Sequence, residues 1–72
     1  MLKVYSAEWC QPCKTLKKML TENKIKFTVI DIDKEPEASR KAVIMGLPTI
    51  VNETDDRLVG AVTMDQITSK LL

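Results

Sequence analysis

The spacing of apolar and polar residues in the first half of the chain changes from that of a strand to that of a helix and back. The run LKVYS at residues 2–6 is short and apolar, which predicts a buried strand. Beyond it Cys13, Leu16 and Leu20 recur at i, i+3 and i+7 with lysines on the opposite side, as in an amphipathic helix. The segment KFTVIDID, which begins at Lys26, is rich in β-branched residues and predicts a second strand.

A second helix is predicted in the segment KEPEASRKAVIM. Pro36 is suited to a first helical position, where the missing backbone N–H has no partner to lose. Ala38, Ala42 and Met45 then fall on one side of the helix. Gly46 follows, and a glycine commonly ends a helix because it adopts positive φ without strain. We therefore expect this helix to extend to Met45.

The last part of the chain predicts a hairpin and a final helix. LPTIVN at residues 47–52 and RLVG at residues 57–60 are short strand candidates on either side of the turn NETDD. Thr63 and Gln66 have the spacing of a capping box. The apolar stripe of the helix that follows is Met64, Ile67 and Leu71. The predicted order is β-α-β-α-β-β-α, an α/β architecture with a four-stranded mixed sheet and three flanking helices.

Composition and charge exclude several classes of partner. A chain of 72 residues corresponds to one domain, residues 1–72. Its net charge of +1 provides no field for a polyanion, so nucleic acid is not an expected partner. The longest apolar stretch is Ala42 to Met45, far short of the roughly 20 residues of a membrane span, and no apolar signal segment precedes Glu8. We expect a cytoplasmic monomer, unless a leader has been removed. One acidic cluster is interpreted as a helix-start and solubility feature: Asp31, Asp33, Glu35 and Glu37.

The two cysteines carry the candidate chemistry. Cys10 and Cys13 lie in AEWCQPCK, separated by Gln11 and Pro12 and preceded by Trp9. A disulfide staple across two residues closes almost no loop and stabilises little. A structural zinc ion needs four ligands, and the chain has no histidine and no third cysteine, although two chains together supply four. A redox-active dithiol is the favoured interpretation, because close cysteine pairs in a reducing compartment are more often catalytic or metal-binding than structural.

The position of the pair assigns different roles to the two sulfurs. The motif lies where a strand turns into a helix, and Pro12 fits a first helical turn. Free N–H groups and the helix dipole favour a thiolate at this end, so we expect an exposed Cys10 whose pKa is lowered. Cys13 shares the apolar stripe and should be shielded. We expect Cys10 to attack a substrate disulfide and Cys13 to resolve the mixed disulfide, with no metal and no cofactor.

Three segments resemble the thioredoxin and glutaredoxin family. AEWCQPCK matches the thioredoxin motif AEWCGPCK at every position but Gln11. GLPTI at residues 46–50 resembles the family segment GIPT, which contains a cis-proline, and residues 59–71 resemble the thioredoxin C-terminal hairpin and helix. The resemblance implies a minimal thioredoxin fold. It also implies that Pro48 is cis and faces the dithiol, with the Leu47 backbone free to pair with an extended substrate. The implied substrate surface, with a partly exposed Trp9 ring, is Trp9, Gln11, Pro12, Leu47, Pro48, Gly60 and Ala61.

The chain also departs from both branches of that family. Val4 lies six positions before Cys10, where thioredoxins have a buried aspartate thought to accept the proton of the resolving thiol. The glutathione-binding signature of glutaredoxins is absent, since Gly46 and Leu47 replace its Thr-Val pair and an Ala follows Gly60 in place of a second glycine. The resemblance is therefore to a protein of glutaredoxin size with a thioredoxin-like site.

The sequence thus predicts an enzyme, a thiol–disulfide oxidoreductase that reduces protein disulfides. By resemblance its reductant is a thioredoxin-reductase-type enzyme in preference to glutathione, and ribonucleotide reductase is one implied client. Two alternatives stay open: a glutathione-dependent glutaredoxin, and a non-catalytic binding subunit that docks partners on an apolar patch of Trp9, Leu47, Pro48 and Ala61.

Overall fold

The computed structural model describes residues 1–60 and 62–72. It contains the seven predicted elements in the predicted order, and the predicted α/β fold class is confirmed. None of the helices in these two stretches is long and apolar enough to span a membrane. The elements are β1 (Leu2–Ser6), α1 (Gln11–Glu22), β2 (Phe27–Asp31), α2 (Pro36–Ala42), β3 (Thr49–Val51), β4 (Arg57–Val59) and α3 (Met64–Lys70).

The four strands form one mixed sheet in the order β2-β1-β3-β4. Strands β1 and β2 are parallel, with Ser6 opposite Asp31. Strand β3 is antiparallel to β1, with Thr49 opposite Tyr5, and it pairs with β4 in the predicted hairpin, with Thr49 opposite Val59. This register brings the residues after β1, β2 and β4 and those before β3 to the same end of the sheet.

The main core lies between one face of the sheet and helices α1 and α3. Strand side chains alternate between faces, so Val4 and Ile50 project to the same side. There they pack against Leu16 and Leu20 of α1 and Ile67 of α3, and all five side chains are buried. Because each such side chain contributes about 1.5–3 kcal/mol when it leaves water, this cluster is the main source of stability.

Helix α2 is shorter than its apolar spacing predicts. It ends at Ala42, whereas the prediction extended it to Met45 and used Gly46 as its terminator. Met45 lies in the following segment and is 91% exposed, so it does not continue the half-buried side formed by Ala38 and Ala42. The predicted end of this helix was wrong.

Hydrogen bonds after Ala42 explain why the helix ends there. Val43 adopts the left-handed conformation, with φ of 55°, and its N–H donates to the carbonyl of Arg40. The next N–H, of Ile44, donates to the carbonyl of Ser39, which completes a Schellman motif. The Arg57 Nη1 donates to the carbonyl of Ala42 at 2.7 Å. The carbonyls of Ser39, Arg40 and Ala42 therefore have partners without a further helical turn.

Strand β2 is also shorter than predicted, because its last residue closes a turn. The strand runs from Phe27 to Asp31, whereas the prediction began at Lys26 and included Asp33. The Asp31 Oδ1 accepts hydrogen bonds from the backbone N–H groups of Asp33 at 2.9 Å and Lys34 at 3.4 Å. A short aspartate side chain that binds the backbone two residues on favours a turn over a strand.

Candidate active site

Four chain segments meet at one end of the sheet and form the candidate active site. Residues 7–10 follow β1, residues 32–35 follow β2, residues 46–48 precede β3, and Gly60 follows β4. They are distant in sequence but adjacent in space, since the strand registers place these ends side by side.

Cys10 and Cys13 are joined by a disulfide at the start of α1, with their Cα atoms 5.3 Å apart. Cys10 is the residue just before the helix, and its Sγ accepts a hydrogen bond from the Cys13 backbone N–H at 3.2 Å. The first N–H groups of a helix have no partner within the helix, so this sulfur acts as the N-cap. The first turn contains no acidic residue to oppose the positive end of the helix dipole. The same N–H is placed to stabilise a Cys10 thiolate after reduction.

The expectation of an exposed Cys10 is wrong for this disulfide form. Cys10 is only 5% exposed, and Cys13 is fully buried. The reason is local packing, because Ala7, Ile32 and Leu47 form a small apolar cluster around the two sulfurs. The expected difference between the two residues remains, with Cys10 the more accessible of the pair.

Cys10 nevertheless borders an open groove of about 640 Å³. Trp9 beside it is 70% exposed, in agreement with the prediction of a partly exposed residue. The groove is formed by the start of α1 and the turn before it, the loop after β2 and the segment before β3. Its lining residues are Trp9, Cys10, Gln11, Pro12, Ile32, Ile44, Met45, Gly46 and Leu47.

Hydrogen bonds at Gly46 and at Pro48 fix the segment that precedes β3. The Leu47–Pro48 peptide bond is cis, as the resemblance implied. The buried Thr49 hydroxyl donates to the carbonyl of Gly46 at 2.7 Å, and the N–H of Gly60 donates to the carbonyl of Pro48 at 2.8 Å. Among the described residues, the N–H and C=O of Leu47 have no hydrogen-bond partner. Leu47 is half-buried and lines the groove.

The remaining predicted site residues lie at different distances from the groove. Gln11 and Pro12, the first two residues of α1, are exposed and line it. Pro48 is buried behind it, and Gly60, with φ of 90°, reaches the site through its hydrogen bond to Pro48. The predicted site residue Ala61 lies outside the described residues.

Sequence reasoning missed the residues that the loops after β2 and α2 contribute. Ile32, Ile44 and Met45 line the groove, and none of them belongs to a recognisable motif. Asp33 was interpreted only as part of a solubility cluster, yet its Oδ2 accepts the indole N–H of Trp9 at 2.9 Å. The signal that points to Asp33 is topological, since residues following two adjacent parallel strands lie side by side.

The residue beneath the site is apolar. Val4, at the position of the thioredoxin aspartate, is fully buried in the main core. In the described stretches of the chain, Cys, Asp and Glu side chains form no cluster of three that could hold a metal ion.

The fold and the disulfide together define the class of protein. The glutaredoxin family model matches residues 2–51, which include the cysteine motif and the cis-proline segment. The chain belongs to the glutaredoxin family.

Two groups of curated relatives show where the chain lies within the wider thioredoxin-fold group. It is 46% identical over 46 residues to the glutaredoxin-like protein NrdH of Lactococcus lactis subsp. cremoris, a match covering 64% of each chain. It is also 40% identical over 60 residues to a thioredoxin of Buchnera aphidicola, covering 75% of this chain and 55% of that protein. These matches span less than two thirds of the length of either relative.

Solved structures agree on the fold. The crystal structure of the reduced thioredoxin pre-protein of Schistosoma mansoni superposes with a TM-score of 0.81 at 28% identity, covering 94% of this chain and 71% of that one. The thioredoxin-like protein BC3987 also gives a TM-score of 0.81, at 20% identity, and covers 96% of this chain and 97% of its own.

Proposed function

We propose that the chain is a dithiol–disulfide oxidoreductase that reduces disulfides in other proteins. The observation that carries this proposal is the Cys10–Cys13 disulfide at the start of α1, with the Cys10 sulfur bordering an open groove and accepting a helix N–H. A thiolate stabilised at a helix N-terminus is the attacking group that disulfide exchange requires. Membership of the glutaredoxin family supports the same chemistry.

The reaction proceeds in two exchanges. The Cys10 thiolate attacks one sulfur of the client disulfide, which forms a mixed disulfide and releases the other client sulfur as a thiolate. The Cys13 thiolate then attacks the Cys10 sulfur, so that the Cys10–Cys13 disulfide re-forms and the second client thiolate leaves. The client gains two electrons and two protons, and a reductant later returns both to Cys10 and Cys13.

The proton of Cys13 needs an acceptor other than a buried carboxylate. Thioredoxins have an aspartate at this position of β1, but here Val4 occupies it within the apolar core. The acceptor in our proposal is water or the client thiolate released in the first exchange. A positioned general base typically accelerates such a step by roughly 10²–10⁴-fold, and this chain forgoes part of that factor.

Client binding in this proposal uses the groove and the backbone before β3. An extended client segment pairs with the backbone N–H and C=O of Leu47, for which the described residues supply no partner, as a short added strand. The exposed face of Trp9 and the side chain of Met45 contact the client side chains beside its disulfide.

We propose a thioredoxin-reductase-type enzyme as the reductant. The glutathione-binding signature of glutaredoxins is absent, with Gly46 and Leu47 before the cis-proline and Gly60 without a following glycine. Ribonucleotide reductase is a client proposed from family resemblance alone. The proposed compartment is the cytosol, where thiols are kept reduced.

A coupled insulin-reduction assay tests this function. We expect turnover with NADPH and thioredoxin reductase, and none with glutathione and glutathione reductase. The Cys10→Ser variant should be inactive, and the Cys13→Ser variant should accumulate a mixed disulfide with the client. Turnover with glutathione only would reverse the choice of reductant, and no insulin reduction with either system would reject the enzymatic proposal.

A non-catalytic docking role is the second candidate, and the exposed Trp9 and Met45 at the groove favour it. The double variant Cys10→Ser/Cys13→Ser separates the two candidates. A docking role survives that change, whereas reductase activity is lost.

A further inference from the structure

Trp9 forms a hydrogen bond to the loop after β2, which the sequence did not indicate as part of the site. Its indole Nε1 donates to the Asp33 Oδ2 at 2.9 Å. Trp9 is the only tryptophan in the chain, and 70% of its surface is exposed. Such exposure leaves the ring little core packing, and the hydrogen bond to Asp33 is the directional contact that the structure shows for it.

The loop that carries Asp33 is itself well fixed. The Asp31 Oδ1 accepts hydrogen bonds from the backbone N–H groups of Asp33 and Lys34. The N–H of Glu35 donates to the carbonyl of Asp31 at 2.8 Å. The N–H of Ile32 donates to the carbonyl of Ser6 at 2.9 Å, which joins the turn to the end of β1. The backbone around Asp33 is therefore held by hydrogen bonds within the turn and to the end of β1.

A second tie connects the same two segments. The Lys34 Nζ lies 3.5 Å from the Glu8 Oε1, next to Trp9 in the sequence. Both side chains are largely exposed, so this ion pair contributes little by itself. Together with the hydrogen bond from Trp9 to Asp33, it places the turn before Cys10 beside the turn after β2.

The ring position matters because Trp9 and Cys10 line the same groove. An untethered tryptophan in this position has several side-chain rotamers available, and binding a client then costs the entropy of selecting one. A tethered ring is already in place. Preorganisation of this kind improves binding of a client that contacts the ring and leaves the chemistry at sulfur unchanged.

We propose that Asp33 is a positioning residue of the dithiol site: by accepting the indole hydrogen bond, it holds Trp9 as one wall of the groove that leads a protein disulfide to Cys10. This inference rests on the proposed disulfide reductase function and adds to it a determinant of preference for protein disulfides. A small disulfide reagent reaches the sulfur without contacting the whole wall, so it should not depend on Asp33.

The test compares three variants. Asp33→Ala removes the acceptor, and Asp33→Asn keeps an oxygen acceptor of the same reach without the charge. Glu35→Ala is the matched control, because it removes a negative charge two residues from Asp33. The Glu35 side chain makes no capping hydrogen bond, so its loss should not disturb α2. All are exposed positions, and thermal melts verify that each variant is folded.

Two measurements are made on each variant. Fluorescence anisotropy of Trp9, the single emitter of its kind, reports ring mobility independently of any enzymatic activity. Steady-state kinetics with insulin and with 5,5′-dithiobis(2-nitrobenzoic acid) give KM and kcat for a protein disulfide and for a small one.

We expect Asp33→Ala to lower the anisotropy and to raise KM for insulin about three- to tenfold, the ratio expected for loss of one net hydrogen bond. The kcat values and the kinetics with the small disulfide should stay within about twofold of wild type, since a hydrogen bond of this strength acts on binding. Asp33→Asn and Glu35→Ala should resemble the wild type in both measurements.

The inference is overturned if Asp33→Ala keeps the wild-type anisotropy, if its KM for insulin equals that of Glu35→Ala, or if Asp33→Asn is as impaired as Asp33→Ala. A wild-type chain that reduces no disulfide at all rejects the proposed function instead. In that case the anisotropy data still decide whether Asp33 holds the ring.

Discussion

At the scale of single residues, Val43 combines a left-handed backbone conformation with a β-branched side chain. It follows α2 with φ of 55°, a conformation that the Schellman motif requires but that a β-branched residue rarely adopts. Its side chain is 66% exposed, so packing compensates for little of the strain. Glycine is the residue usually found at such a position.

We expect Val43→Gly to stabilise the chain by about 0.5–1 kcal/mol, because relief of about 1–2 kcal/mol of left-handed strain outweighs the added entropy of an unfolded glycine. Urea denaturation measures the change. Val29→Gly is the control, since Val29 is also partly exposed but lies in extended β2, where glycine should destabilise. A destabilised Val43→Gly variant would show that the valine side chain contributes more than its strain costs.

Residue identity and short spacing suffice to predict part of the site. Cys10 and Cys13 are recognisable because their chemistry depends on residue type and on a separation of three positions. Asp33 and Ile44 cannot be recognised as site residues from the sequence, because their proximity to Cys10 depends on strand register and on where α2 ends. The burial of Cys10 was mispredicted for the same reason, since Leu47 covers it from a distant segment.

At the scale of elements, α3 shows how a short helix is made stable. It has seven residues, too few to persist on intrinsic propensity. The Thr63 Oγ1 accepts from the N–H of Gln66 at 3.2 Å, and the Gln66 Oε1 accepts from the N–H of Thr63 at 2.9 Å. Ile67 then anchors the helix in the core.

Loss of the cap should therefore weaken the whole fold. We expect Thr63→Ala to lower the free energy of unfolding by about 1 kcal/mol, the usual cost of removing an N-cap side chain. Thr68→Ala is the matched control, because Thr68 is an exposed residue of the same helix and alanine has the higher helix propensity. Equal effects of the two substitutions in urea denaturation would refute the capping contribution.

Element starts and types were predicted well, and the ends of β2 and α2, which depend on specific hydrogen bonds, were not. Strand β1 matches its predicted range, and α3 begins at the predicted capping box. Helix α2 ends early in the Schellman motif at Val43 and Ile44, and Arg57, from a strand that follows it, binds the carbonyl of Ala42. Local spacing contains no information about that contact.

At the scale of the whole molecule, stability depends on one small core. A chain of 72 residues buries only about 60% of its unfolded surface, so each core side chain is a large share of the total. Leu20 of α1 is fully buried in the cluster that α1 forms with α3 and the sheet.

We expect Leu20→Ala to lower the free energy of unfolding by about 2–5 kcal/mol, through lost burial and the cavity that remains. Leu72→Ala makes the same chemical change at a residue that is 64% exposed, and its effect should stay within about 0.5 kcal/mol. Guanidinium denaturation of both variants measures the difference. A small effect of Leu20→Ala would contradict the assignment of the main core.

The central claim is that the Cys10 sulfur, which accepts a hydrogen bond from a helix N–H, is the nucleophile of the reduced protein. The most direct test is the pH dependence of iodoacetamide alkylation of the reduced chain, with each cysteine followed by peptide mass spectrometry. We predict that Cys10 reacts first and with a pKa below the ordinary cysteine value of about 8.5, because the helix N-terminus stabilises its thiolate, while buried Cys13 is protected. In urea both cysteines should react alike. A folded chain in which Cys10 and Cys13 react at the same rate, or in which Cys13 reacts first, would contradict the account.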